Sequence, residues 1–293
     1  VRAGIVILPE DRWWAAEPKW RAAEEYGFDH AWTYDHLGWR SLVDGPWFSA
    51  VPTLTAAATV TSTIRLGTFV ASPVFRHPVP FMRELITLDD IADGRLLLGI
   101  GAGGLGYDNH VMVGGEPTPK QRSDRLAEFV EALDGLLRTD NFDYSGDYYQ
   151  AAGARNLPGP VQRPRMPFVI AANGPRNMRL AARFGGWVTT GHPADSQDEW
   201  WQGVGELAAR FDGIVVEHDR GAETVPRYLN LDSAPVFSLT SVGAFTDAAG
   251  RAAELGFTDI VVHWPRSTGP YAGRETVLEQ VVSDVLPGLR NSA

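Results

Sequence analysis

Cysteine is absent from the chain and lysine nearly so, with only Lys19 and Lys120 present. The missing thiols remove disulfides, thiolate metal sites and cysteine nucleophiles together. Neither lysine ends an expected strand, so a Schiff-base enzyme, such as a phosphosugar aldolase, has no support. No basic tract offsets the net charge of −10, which argues against nucleic acid and membrane surfaces as partners. The opening residues, VRAGIVILPEDRWW, turn polar after a few apolar positions. They read as neither a signal peptide nor a membrane span, and a cytoplasmic protein is expected. Metal spacings such as His-x-x-x-His are missing, as is the Gly-x-Ser-x-Gly of serine hydrolases.

What is present is an ordinary globular composition, 44% apolar and 21% charged over 293 residues, able to bury a full core. Short β-branched or leucine-rich runs alternate with helical periodicity from end to end. Strands are expected over residues 3–8, 30–34, 64–71, 95–101, 168–172, 187–190, 228–232 and 258–263. Helices are expected over 13–26, 49–60, 79–91, 120–138, 197–211, 244–255 and 274–289, with another starting at 175. Residues 233–240 compete with the seventh strand. The aromatic-rich stretch 142–164 reads as a small insertion, a hairpin plus loop, before the fifth strand. Eight strand–helix pairs fit a closed (β/α)8 TIM barrel, one domain over residues 1–293, better than an open sheet.

In such barrels the chemistry sits at the C-terminal strand ends. Those ends read Tyr34-Asp35-His36, Ser72-Pro73, Gly101-Ala102-Gly103-Gly104, Asn173-Gly174, Thr189-Thr190-Gly191-His192 and His263-Trp264. Asp35-His36 is the acid–base candidate, because histidine titrates near neutrality and an adjacent carboxylate orients or charges it. The other reading is a surface loop histidine. Residues 99–104 match the dinucleotide pattern G-x-G-x-x-G, but no helix is expected directly after them. No acidic residue ends a second strand about twenty positions on, as that fingerprint requires. The glycines instead suit close approach of a flat ligand to the backbone. The run MPFVIAANGPRNMRLAAR, residues 166–183, reads as a strand, a tight turn and a helix. Pro175 suits the first helical position, and the free N–H groups and dipole of a helix start attract anions. Asn173, Gly174, Pro175, Arg176, Asn177 and Arg179 form a candidate phosphate cradle. An ordinary βα turn with solvated arginines is the alternative.

Taken together, AEEYGFDHAWTYDH, IRLGTFVASPVFRHP, LDDIADGRLLLGIGAGG and PFVIAANGPRNMRLAARFGGW resemble the bacterial luciferase-like superfamily of flavin- and deazaflavin-dependent oxidoreductases. The resemblance implies a luciferase-like barrel and a homodimer. It implies a bulge, often with a cis peptide, at Ala71-Ser72 beneath the cofactor ring, with Gly101, Ala102 and Gly103 alongside. It maps the turn at 173–177 to the cofactor phosphate. Asp35-His36 with Trp39 nearby, SPVFRHP and GIGAG resemble the members that use coenzyme F420. The Asn-Val-Val-Thr, or an arginine after the fourth strand, of many FMN monooxygenases is absent. The implied reaction is hydride transfer at the deazaflavin C5, with His36 moving the proton and Asp35 holding His36. The alternatives are an FMN monooxygenase working through a peroxyflavin, and a flavin-binding barrel without catalysis. Two departures stand out: the glutamate that some F420 sugar-phosphate dehydrogenases carry near the position of Gly104 is absent, and Gly185-Gly186-Trp187 lacks the usual aspartate. Loops 37–48, 103–119 and 265–271, together with Trp39, His192 and Trp264, are expected to line the substrate site. Their aromatic content suggests an apolar or aromatic substrate.

Overall fold

Continuous apolar runs mark strands buried on both faces, as parallel strands covered by helices are. In the computed structural model, β2 (His30–Thr33), β4 (Leu96–Ile100) and β10 (Asp259–His263) are buried at every residue. The structure describes residues 1–104, 106–218 and 225–290. The remaining strands are β1 (Arg2–Val6), β3 (Arg65–Ala71), β5 (Phe142–Ser145), β6 (Gln150–Ala154), β7 (Phe168–Ala171), β8 (Gly185–Thr189) and β9 (Arg227–Asn230). The helices are α1 (Trp13–Glu25), α2 (Ala50–Val60), α3 (Pro78–Ile91), α4 (Tyr107–Val113), α5 (Pro119–Arg138), α6 (Pro175–Phe184), α7 (Gln197–Glu217), α8 (Val242–Glu254), α9 (Glu275–Asp284) and α10 (Leu286–Arg290). Eight parallel strands close a barrel in the order β1-β10-β9-β8-β7-β4-β3-β2, and β5 and β6 form a separate two-stranded sheet. This is the expected (β/α)8 TIM barrel with its insertion before the fifth barrel strand.

The chain divides into two compact units, one of Val1–Leu8, Lys19–Trp32 and Ile170–Ala293, the other of Pro9–Pro18 and Thr33–Val169. In the first unit the register sets Gly4 beside both His30 and Val261, and Val6 beside Trp32 and His263. The Trp32 and Tyr228 rings meet at 5.9 Å although their strands are separated by β1 and β10, so these side chains face the barrel interior. Asp259, Val261 and His263 share that face by strand alternation. Gly4 has to be glycine, since a Cβ there would lie 1.8 Å from His30 Nδ1.

Helix starts carry the local signals that position the loops. Thr118 and Gln121 make a reciprocal capping box at α5, and Pro78, Pro119 and Pro175 occupy first turns. The structure departs from expectation in four places. α4 forms within a stretch read as loop, and 233–240 is no strand but the segment between two 3-10 turns, Leu231–Ser233 and Ser238–Thr240. α7 runs six residues further than expected, to Glu217. The C-terminal helix is broken at Val285, just before Pro287, whose ring and missing N–H cannot continue the ladder. Among the described residues, no helix is long and apolar enough to cross a membrane.

Candidate active site

The second unit builds its site around the end of β2. His36 Nδ1 lies 2.6 Å from Asp108 Oδ2, and the Leu37 N–H donates to the other carboxylate oxygen at 2.9 Å. The Trp47 indole N–H donates to the His36 carbonyl at 2.8 Å, fixing the backbone of the loop. Asp108 stands in the first turn of α4, where the helix dipole favours a carboxylate. Its side chain is 9% exposed and that of His36 is 23%, so the imidazole reaches solvent while its anchor does not. A carboxylate on Nδ1 sets the tautomer and leaves Nε2 to take or give a proton. Trp39, half-buried, packs edge-on against Tyr34 at 5.0 Å, and Tyr34 in turn meets the His36 ring at 6.0 Å.

Asp35 does not hold His36, contrary to expectation. Its carboxylate is clamped by Arg76 Nε at 2.7 Å and Nη2 at 2.8 Å, with side chains 3% and 10% exposed. Arg76 also donates to Glu84 at 3.0 Å and lies over the Phe81 ring. Successive side chains leaving a strand point to opposite sides, so Asp35 and His36 cannot both face one partner. Asp35 fastens the β2 end to the segment entering α3. Burial opposes the Arg76 charge, but Asp35 outweighs it and raises the guanidinium further.

At the ends of β3 and β4 the register shifts between Thr68 and Ala71, and the cis peptide falls at Phe69-Val70. The irregularity thus precedes the expected Ala71-Ser72 step. Thr68 Oγ donates to the Gly99 carbonyl at 2.8 Å where a Cβ on Gly99 would collide with the Thr68 carbonyl. Gly101 N–H donates to Ala71 O at 2.9 Å, so Ala71, Ser72, Gly101, Ala102 and Gly103 do come together. Gly103 has φ +75°, and a Cβ there would lie 2.6 Å from Val74 and 2.8 Å from Ser72 Oγ.

Some buried polar atoms of α4 and α5 have no partner among the described residues. Asn109 is fully buried; its Nδ2 donates to the Gly104 carbonyl, but its Oδ1 accepts nothing. Arg122 donates one Nη1 hydrogen bond to the Gly103 carbonyl at 3.1 Å, while its Nε is buried without a partner. Arg125 Nε and Nη2 are likewise buried and unpartnered. Buried donors on a cation are costly to leave unmade, and an anionic, oxygen-rich group satisfies them. The sequence reading missed Asp108, Asn109, Arg122 and Arg125. The helix period of α5 does put Arg122 and Arg125 one turn apart, which was the available signal.

In the first unit, Asn173 fastens β7 to β8. Its Oδ1 accepts from Thr189 Oγ at 2.7 Å and its Nδ2 donates to Gly191 O at 2.7 Å. Gly174 is the N-cap of α6 without a side-chain cap, and Pro175 follows in the first turn. Gly174, Pro175 and Arg176 are exposed and Asn177 is half-buried, so this helix start presents its N–H groups outward. Arg179 turns elsewhere: its guanidinium lies 3.7 Å from Glu217 in an exposed pair. His192 is exposed in the loop after β8. Trp264 corrects another expectation, because it is buried, donates from Nε1 to Glu275 at 2.8 Å and stacks on Tyr26. It follows His263 by one position and therefore faces the helices rather than the barrel interior. Leu105, within the expected substrate loop, lies outside the described residues. Among the described residues, no three His, Asp or Glu side chains are grouped to hold a metal ion.

The profile of the luciferase-like monooxygenase family matches residues 16–229, more than half of the chain. The chain belongs to this family. An uncharacterized protein of Mycobacterium tuberculosis is 30% identical over 291 residues, covering 89% of this chain and 91% of that protein. The F420-dependent glucose-6-phosphate dehydrogenase of Amycolatopsis mediterranei is 35% identical over 174 residues, covering 57% of this chain and half of that enzyme. The structure of the coenzyme F420-dependent tetrahydromethanopterin reductase from Methanopyrus kandleri superposes with a TM-score of 0.78 over 99% of both chains, at 19% identity. That last likeness concerns the fold.

Proposed function

We propose that this luciferase-like protein is an oxidoreductase that transfers a hydride between coenzyme F420 and a small, apolar or aromatic organic substrate. The observation that carries the reading is the His36–Asp108 pair, in the same unit as a glycine turn whose Gly103 carbonyl accepts from Arg122, and as Arg125, whose Nε and Nη2 are buried without a partner among the described residues. The residues present fit the cofactor: Ala71, Ser72, Gly101, Ala102 and Gly103 offer a side-chain-poor surface to a flat ring, and the orphaned guanidinium donors suit its anionic groups. When bound, F420 supplies the hydride donor or acceptor. The accompanying proton is handled at His36 Nε2, while Asp108 keeps Nδ1 protonated and stabilises the charged imidazole that forms. Asp35, held by Arg76, keeps the β2 end in place. Separately, the uncapped α6 start, with Asn173, Gly174, Pro175, Arg176 and Asn177, is proposed as the cofactor-phosphate anchor, and Trp39 and His192 as substrate contacts. The absence of a glutamate near Gly104 speaks against a sugar phosphate as substrate. A homodimer is proposed by resemblance and is checked by light scattering.

The family's description as monooxygenases favours one second reading, in which the same residues hold FMN and the reaction activates O2. Titrating the apo protein with F420 and with FMN, followed by absorbance and fluorescence, separates the two. Tight F420 binding supports the proposal, and tight binding of FMN alone overturns it. Binding without turnover of any redox substrate marks a non-catalytic flavin barrel.

A further inference from the structure

The first unit carries a buried cluster that the reaction above does not use. Asp232, in the 3-10 turn after β9, has a fully buried carboxylate. Its Oδ1 accepts from the Ser238 N–H at 3.0 Å and from Ser238 Oγ at 2.6 Å. Its Oδ2 accepts from the backbone N–H of His263 at 2.6 Å and pairs with His263 Nδ1 at 2.9 Å. With four contacts on one carboxylate, the ring plane of His263 is fixed at the C-terminal end of β10, on the face that looks into the barrel. Burial lowers the pKa of this imidazole, against the opposing pull of Asp232, so the ring is neutral near pH 7.

Tyr271 lies flat on that ring, with centroids 3.7 Å apart and planes 12° from parallel. Its backbone is in the left-handed region at φ +62°, uncommon for a bulky residue and retained only where the surroundings fix it. The surroundings do fix it. Arg266 Nη1 donates to the carbonyls of Thr268 and Pro270, Arg266 N–H donates to the Tyr271 carbonyl, and Gly273 N–H donates back to Arg266. Phe237 closes one side, its ring 6.1 Å from Tyr271 and packed so near Gly273 that a Cβ there would approach it to 2.8 Å. Tyr271 as a residue is only half-buried, unlike the fully buried His263 side chain beneath it.

We propose that Tyr271, seated on the His263–Asp232 pair, is the stacking platform for a small molecule with a planar conjugated ring. The inference goes beyond the function proposed above and stands without it. A flat aromatic surface over an inward-facing strand end is where barrel loops meet substrates, and offset stacking selects flat ring systems over saturated ones. His263 and Asp232 act as positioning residues: they set the height and tilt of the platform without touching the ligand.

The test uses the whole chain without cofactor and the planar naphthoquinone menadione as probe, with cyclohexanone as the saturated comparison, read by quenching of tryptophan fluorescence and by ligand NMR. Menadione is expected to bind and cyclohexanone to bind far more weakly. Tyr271→Ala is expected to weaken menadione about tenfold, and Tyr271→Phe to keep affinity within about twofold. Affinities for F420 and FMN are measured on the same variants and are expected to stay unchanged. The proposal is overturned if wild type does not bind menadione, if Tyr271→Ala leaves its affinity unaltered, or if cofactor affinity falls in parallel. Absence of F420 and FMN binding in wild type, with the menadione pattern intact, would sink the cofactor reading and leave the platform standing. The Tyr271→Phe variant guards against loss of fold as the cause.

Discussion

His36 and Asp108 are 72 residues apart in sequence, and their side chains meet at 2.6 Å because α4 delivers its first turn against the loop that leaves β2. The carboxylate that orients the candidate acid–base histidine is thus not its chain neighbour. His36→Ala is expected to lower kcat roughly 100-fold or more with little change in cofactor affinity. Asp108→Asn is expected to cost on the order of tenfold to 100-fold in kcat, because an amide neither fixes the tautomer as firmly nor stabilises the charged ring. Cofactor affinity separates this from simple misfolding: it should stay near the wild-type value in Asp108→Asn while kcat falls. Asp35→Asn should instead lower the melting temperature, since it breaks the buried clamp with Arg76. Unchanged kcat in Asp108→Asn would remove the pair from the mechanism.

Arg125 gives a prediction with two opposite readouts. Its buried Nε and Nη2 have no partner among the described residues, so replacing them removes an unmet desolvation cost. Arg125→Met is expected to leave the apo protein as stable as wild type or about 1 kcal/mol more stable by urea titration. The same change should weaken the anionic cofactor about tenfold to 100-fold, the worth of charge-assisted hydrogen bonds. A variant that is destabilised yet binds normally would mean that Arg125 serves the fold.

The alternation of strands and helices was legible because barrel strands buried on both faces leave short apolar runs, as in LLLGI of β4 and the IVV of β10. The site was legible only in part. Strand ends can be read from those runs, so His36, Ser72, Gly103 and Asn173 could be picked out as rim residues. What a rim residue touches depends on loops. The segment YDNHVMV is too short and too flanked by glycine for its periodicity to mark a helix, which hid α4 and Asp108 with it. Adjacency along the chain suggested Asp35 as the partner of His36, and strand alternation sends the two side chains apart. The same alternation put His263 inward and Trp264 outward. Strand limits uncertain by a residue or two make that parity hard to assign from sequence alone.

Arg176 and Arg179 stand one turn apart on α6 and are expected to behave differently. Arg179 lies a turn further along the helix, 3.7 Å from Glu217, whereas Arg176 stands in the first turn, next to the N-cap Gly174. Arg176→Ala should raise the cofactor dissociation constant several-fold, about what one exposed charge-assisted contact supplies, and the effect should shrink in high salt. Arg179→Ala should change it less than about twofold, in keeping with an exposed surface pair. Equal effects, or none for Arg176, would count against a phosphate anchor at this helix start.

The barrel interior of the first unit holds a polar chain whose consequence is a pH dependence. The Trp32 indole donates to His30 Nδ1 at 2.6 Å, and His30 Nε2 pairs with Asp259 Oδ1 at 3.0 Å. Arg2 adds two donors to the same carboxylate, at 2.8 and 2.7 Å. Burial alone would raise the pKa of Asp259, but the hydrogen bonds from His30 and Arg2 outweigh it and hold the group at about 2. A carboxyl depressed on folding contributes stability that is fully present above its unfolded pKa of about 3.9 and is lost as pH falls through the folded value. The depression corresponds to about 2 kcal/mol. Wild type should therefore lose that increment between about pH 4 and pH 2, on top of the general acid loss. Asp259→Asn should be less stable than wild type at pH 7 and should close the gap over the same interval, measured by urea titration at each pH. A difference between the two proteins that stays constant from pH 7 to pH 2 would show that Asp259 contributes by packing and neutral hydrogen bonding rather than by its charge.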